Sequence, residues 1–115
     1  MERLRADAIL VGGGTTFLIN RTRFNALALN YRLPTMYSVR ELVEAGGLVA
    51  YGVNMTDFVG HAAAYVDKIL KGAKPADLAV EQPKKFELII NLKTAKSLGL
   101  TIPQSVLLRA DEVIQ

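Results

Sequence analysis

The chain has 115 residues, half of them hydrophobic and 22% charged, a balance that fits one globular domain and excludes a disordered or nucleic-acid-coating chain. Its net charge is +3, but Lys and Arg stand singly or in pairs (Arg21, Arg23, Lys84, Lys85) without the aromatic alternation of a base-stacking platform, so no nucleic-acid partner is expected. There is no cysteine and a single histidine, His61, so no disulfide or metal site is predicted; no apolar run approaches the roughly 18 residues that span a bilayer, and no direct membrane insertion is expected.

Residues 6–11 read as a short buried strand ending in Gly12, Gly13 and Gly14. Thr15 or Thr16 can then cap a helix over 17–31 that Pro34 stops. Residues 35–38 make a second strand. Ser38, with Glu41 three residues on, can cap a short helix over 39–44; Gly46 and Gly47 end it before a third strand at 48–51. Over 55–71, Met55, Phe58, Val59, Ala62, Val66, Ile69 and Leu70 recur at offsets of three and four, which sets them on one stripe of a helix. Asn54 or Thr56 can cap it, Lys68 and Lys71 suit its last turn, and Gly72 fits the left-handed position that ends it. Something must cover that stripe.

Residues 74–85, with Pro75 and Pro83, read as an ordered crossing. The nearly continuous apolar run 86–92 suits a central strand of a parallel sheet covered on both faces. A brief helix at 94–98 closed by Gly99 and a terminal helix over 105–114 complete the chain. The alternation predicts an α/β fold, with a parallel sheet of about four strands joined by right-handed crossovers and flanked by helices. Ligands in such sheets sit beyond the carboxyl ends of the strands, which here carry 12–16, 37–40 and 51–54.

Catalytic patterns are missing. The run Gly12-Gly13-Gly14-Thr15-Thr16 has no Walker lysine, and the dinucleotide fingerprint would need glycine where Phe17 stands. Ser38 lacks the nucleophile elbow, His61 has no nucleophile partner, and Asp57, Asp67 and Asp77 are explained by a cap, a helix face and a linker. The chain therefore reads as a non-enzymatic domain without cofactor. A nucleotide-binding α/β enzyme domain is retained only as the third reading.

The residues become specific in Ala64-Tyr65-Val66-Asp67-Lys68-Ile69-Leu70-Lys71-Gly72, followed by Pro75, Asp77, Leu78, Val80-Glu81-Gln82-Pro83, Phe86, Ile90-Asn91-Leu92-Lys93-Thr94-Ala95, Leu98-Gly99 and Ile102-Pro103. Upstream, Arg32-Leu33-Pro34, Tyr37, Arg40-Glu41, Val43-Glu44-Ala45-Gly46-Gly47-Leu48 and Tyr51-Gly52 extend the pattern. Over nearly its whole length the chain resembles the carboxyl-terminal part of bacterial ABC-transporter substrate-binding proteins, in the subfamily that includes predicted tryptophan/tyrosine-type binding proteins.

The resemblance implies a periplasmic-binding-protein type I fold whose two lobes close on a small solute, such as an amino acid, and present it to an ABC permease. By that analogy 1–115 is an incomplete carboxyl-terminal lobe, and the helix region 53–72 is expected to pack on a missing first lobe or on a partner subunit. A homodimer is expected, because a bare apolar stripe favours self-association. A self-associating relic module that binds no ligand is the alternative. The ligand loops of the family fall on Gly13, Gly14, Thr15 and Thr16, on Ser38 and Arg40, and on 50–54 with Asn54; Tyr37 and Tyr51 are placed to stack on a solute or to pack in the core. The family implies a periplasmic or lipid-anchored location. Translated as written, without a signal peptide, the chain is expected in the cytoplasm.

Overall fold

The computed structural model describes residues 5–115. The five strands, β1 (Ile9–Val11), β2 (Thr35–Tyr37), β3 (Val49–Val53), β4 (Phe86–Asn91) and β5 (Glu112–Ile114), form one sheet in that order. Their register lines up Val11, Tyr37, Ala50 and Ile89 across four strands, with Glu112 continuing the row on β5. Residues in one such row point to the same face. On that face Val11, Tyr37, Ala50 and Ile89 are buried with Leu42 and Val43 of α3 (Arg40–Glu44), while Phe17 of α1 (Thr15–Ile19) and Phe24 of α2 (Arg21–Asn30) pack against them. The Phe24 ring meets Phe17 edge-on at 5.2 Å and Tyr37 at 6.4 Å. Burying side chains such as Val43 and Ile89 stabilises the fold by about 1.5–3 kcal/mol each.

Polar groups inside this layer are paired. Asn25 Nδ2 donates to the Leu42 carbonyl at 2.8 Å, Asn91 Nδ2 to the Val43 carbonyl at 3.2 Å, and Thr94 Oγ1 to the Gly46 carbonyl at 3.0 Å, so side chains from distant elements take up carbonyls at the end of α3. Gly46, at φ +107°, lets that helix end, with its N–H donating to the Val43 carbonyl. On the opposite face cover is one-sided. In the row Leu10, Met36, Val49, Ile90, Ile90 is fully buried whereas Leu10 and Met36 are exposed.

Several sequence expectations need correction. The sheet has five strands rather than about four, because residues 112–114, expected in a terminal helix, pair with β4; the helix there is confined to Gln104–Leu107. The switch is local: Asp111 accepts the Leu88 N–H through Oδ2 at 2.8 Å and returns its own N–H to the Leu88 carbonyl at 2.8 Å, docking the chain on the sheet. Tertiary pairing overrides helical pattern here. The sheet is also mixed, since β4 runs antiparallel to β3 while the other pairs are parallel. The helix expected over 17–31 is broken at Asn20, whose Nδ2 donates to the Thr16 carbonyl at 2.9 Å. Its first turn is entered from Gly14 without a side-chain cap, and α3 is entered from Val39 rather than Ser38, also uncapped.

The antiparallel step follows from the path between β3 and β4. Helix α4 (Met55–Leu70) carries the chain about 24 Å outward at 1.5 Å per residue. Residues 75–85, opening with a 3-10 turn at Pro75–Asp77, run back along it to the same end of the sheet. Asn54 Oδ1 accepts the Asp57 N–H at 3.0 Å and caps the helix, and Gly72, at φ +103°, ends it. The return segment is held by Tyr65, whose hydroxyl donates to the Ala79 carbonyl at 2.6 Å, by a His61–Glu81 contact at 3.4 Å and by Lys85 near Asp57 at 3.9 Å. No residue of α4 is buried. This arm raises the radius of gyration to 17.6 Å, against the roughly 13 Å of a compact chain of this length.

Candidate functional site

Because β1, β2 and β3 are parallel and β4 re-enters beside the end of β3, one edge of the sheet gathers the loops after the first three strands and the start of β4. The contact is close. A methyl group at Gly13 would lie 3.9 Å from Ser38 Oγ, and one at Gly52 would lie 1.9 Å from the Ser38 carbonyl oxygen. Ser38 thus lies between the loop after β1 and the end of β3, and Gly52 can only be glycine while β3 keeps this approach to Ser38.

The sequence-predicted residues divide into three groups at this edge. Gly13 and Gly14 are exposed on the first loop and Thr15 and Thr16 on the first turn of α1, Ser38 is half-buried beside them, and Tyr51 is exposed on β3. Tyr51 stacks on Phe86 with ring centroids 5.6 Å apart and planes at 21°, leaving both rings about half exposed. Tyr37 is different. At 1% exposure it is a core residue, its ring against Phe24 and its hydroxyl donating to Asn25 Oδ1, so it is not available to stack on a solute. Burial pushes its hydroxyl above the usual tyrosine range.

Arg40 and Asn54 are already engaged within the chain. The Arg40 guanidinium donates to Glu44 at 2.9 Å, to Glu112 at 2.5 Å and to Glu87 at 3.4 Å. Hydrogen bonds to Glu44 and Glu112 push its pKa still higher, so it remains charged at any ordinary pH. Asn54 caps α4 with Oδ1 and donates from Nδ2 to Glu87. Glu87 and Glu112 escaped the sequence reading, although Glu87 carried a signal as the one charged residue in the apolar run 86–92. A carboxylate in a half-buried strand requires a partner.

Beside the edge, α4 and the return segment enclose a groove of about 690 Å³ lined by Phe58, Ala62, Tyr65, Ile69 and Leu78, with Asn54 and Asp57 at its sheet end. The outer stripe of α4 is open, with Val59 60%, Val66 55% and Leu70 81% exposed, and Phe58 on the groove side is itself 51% exposed. No group of potential metal ligands converges among the described residues, and no helix among them is long and apolar enough to cross a membrane.

The comparisons with known proteins agree with this fold. A conserved domain protein from Vibrio cholerae O1 biovar El Tor superposes with a TM-score of 0.89 at 29% identity, over 95% of this chain and 37% of that one. The ABC domain in complex with L-Trp from Streptococcus pneumoniae does so with a TM-score of 0.88 at 33% identity, over 98% of this chain and 39% of that one. A ligand-free, open substrate-binding protein with adhesive properties from Clostridium difficile shares the fold, with a TM-score of 0.68 at 21% identity over 96% of this chain and 37% of that one. The chain therefore spans less than two-fifths of the length of these solved relatives. Comparison with curated proteins gave no match. The sequence model described as ABC transporter substrate binding protein matches residues 6–114, and the chain belongs to that family.

Proposed function

We propose that the chain is the solute-binding component, or a carboxyl-terminal lobe-like portion of it, of a bacterial ABC importer, and that it binds a small molecule such as an amino acid without catalysing a reaction. The carrying observation is the approach of the loop after β1 and the end of β3 to Ser38 at the carboxyl end of the parallel strands, in a member of a substrate-binding family. A relative of 33% identity in complex with L-Trp supports an amino acid as the solute class. In this reading Gly13, Gly14, Thr15, Thr16 and Ser38 supply polar contacts, and Tyr51 with Phe86 supplies an aromatic surface. Arg40 and Asn54 hold the loops in place.

The partners follow from the same reading: a membrane permease, and a periplasmic or lipid-anchored setting. The region 53–72 packs on a first lobe or on a partner subunit, and in the 115-residue chain a second copy takes that place, giving a homodimer. The exposed stripe of α4 supports this arrangement. It equally favours the second reading, a module that only self-associates.

Thermal-shift screening against amino acids, purines and nucleotides separates the readings. A solute at 100 times its Kd adds about 2.7 kcal/mol to stability. Stabilisation by an amino acid supports the proposal, and stabilisation by nucleotides alone would support an enzyme domain. No shift with any of them would leave the self-associating module.

A further inference from the structure

Among the described residues, Glu87 is the only carboxylate of the Arg40 cluster that also holds Asn54. Its side chain is 14% exposed, whereas Glu44 and Glu112 are about half exposed at 48% and 47%. One oxygen faces Arg40 on α3 and the other accepts from Asn54 Nδ2, while Asn54 Oδ1 caps the first turn of α4. An unbroken line of polar contacts therefore runs from α3, next to Ser38, through Glu87 to the helix that leaves the sheet. The helix α4 itself has no buried side chain to anchor it at that junction.

We infer that Glu87 is a positioning residue: it fixes the angle at which α4 leaves the sheet and ties that angle to Arg40 at the start of α3, next to Ser38. Two neighbouring carboxylates make the assignment specific. If Glu87 is removed, Arg40 keeps Glu44 and Glu112, but Asn54 loses its partner across the junction. Removal of Glu44 or Glu112 leaves the Glu87–Asn54 contact in place. A general loss of charge balance would make the three substitutions alike; a positioning role sets Glu87 apart.

The chain has no cysteine, so Ala64→Cys on α4, off both the groove and the exposed stripe, and Lys93→Cys on the sheet side give two unambiguous spin-label sites. Pulsed electron spin resonance on the full chain, diluted with unlabelled protein so that only intramolecular distances are read, reports the angle without any solute. The outcome is thus independent of the solute-binding proposal. The labelled parent gives a single narrow distance distribution, Glu87→Ala broadens and shifts it, and Glu44→Gln and Glu112→Gln leave it unchanged. Asn54→Asp keeps the helix cap but places a second carboxylate against Glu87, and it broadens the distribution as Glu87→Ala does. Should Glu87→Ala fail to fold, Asn54→Asp decides the matter alone. A parent-like distribution in Asn54→Asp, or equal broadening in Glu112→Gln, overturns the inference.

Discussion

The sheet body and the α4 arm are both rich in apolar side chains, yet only one of them hides what it carries. In the body, Val11, Tyr37, Ala50 and Ile89 are buried in one row beneath Leu42 and Val43. In the arm, Phe58, Val59, Val66 and Leu70 are each at least half exposed. The body closes because three helices lie on one face and because Asn25, Asn91 and Thr94 take up the carbonyls at the end of α3. Among the described residues, the arm has only the return segment beside it. Apolar periodicity therefore says that a face is made to be covered; whether the same polypeptide supplies the cover is a separate question.

Substitutions in the body should cost far more than substitutions in the arm. The largest effect is expected from Gly52→Ala, whose new methyl would meet the Ser38 carbonyl oxygen at 1.9 Å. Backbone must move, and we expect a loss of about 3 kcal/mol in urea unfolding, at the upper end of overpacking costs. An unchanged midpoint would mean that the loops do not meet as described.

Tyr37→Phe follows. It leaves Asn25 Oδ1 without its donor and should cost about 1–3 kcal/mol. The pH dependence gives a second readout. Because burial raises the folded-state pKa of Tyr37, the folded chain holds the proton more tightly than the unfolded one. Its contribution is fully present below about pH 10, the unfolded value, and is lost as pH rises through the folded value. Tyr37→Phe should flatten that alkaline decline, and an identical decline in the variant would remove Tyr37 as its source.

At the junction, Asn54→Ala removes the α4 cap and the bond to Glu87, with an expected loss of about 1 kcal/mol. Hydrogen exchange should quicken in the first turn of α4 and stay unchanged in β3. Leu70→Ala, at a position 81% exposed, marks the lower end: its effect on unfolding should stay within about 0.5 kcal/mol. A large effect there would show that the arm is packed like the body.

Much of this architecture was legible from residue order. Glycines, caps and offsets located α4 from Asn54 to Gly72 and the short helix ended by Gly99, because those signals act within a few residues. The antiparallel entry of β4 was not legible, since it depends on residues 75–85 running back along α4. Nor was β5: Val113 and Ile114 pair with Ile90 and Asn91, a choice made by distant strands. The same division holds at the candidate site. The loops 12–16 and 37–40 were found from strand ends, whereas the ties of Arg40 to Glu87 and Glu112 span 47 and 72 positions of sequence. Tyr37 read as either a stacking or a core residue, and only the register that sets it beside Val11 and Ala50 decides for the core.

The central proposal is that the apolar side of α4 is built for a surface outside the described residues. Size-exclusion chromatography with light scattering, on the 115-residue chain and on a Phe58→Glu/Val66→Glu variant, addresses it directly. The account predicts a dimer for the parent and a folded monomer for the variant. A parent chain that stays monomeric and stable on dilution would contradict it.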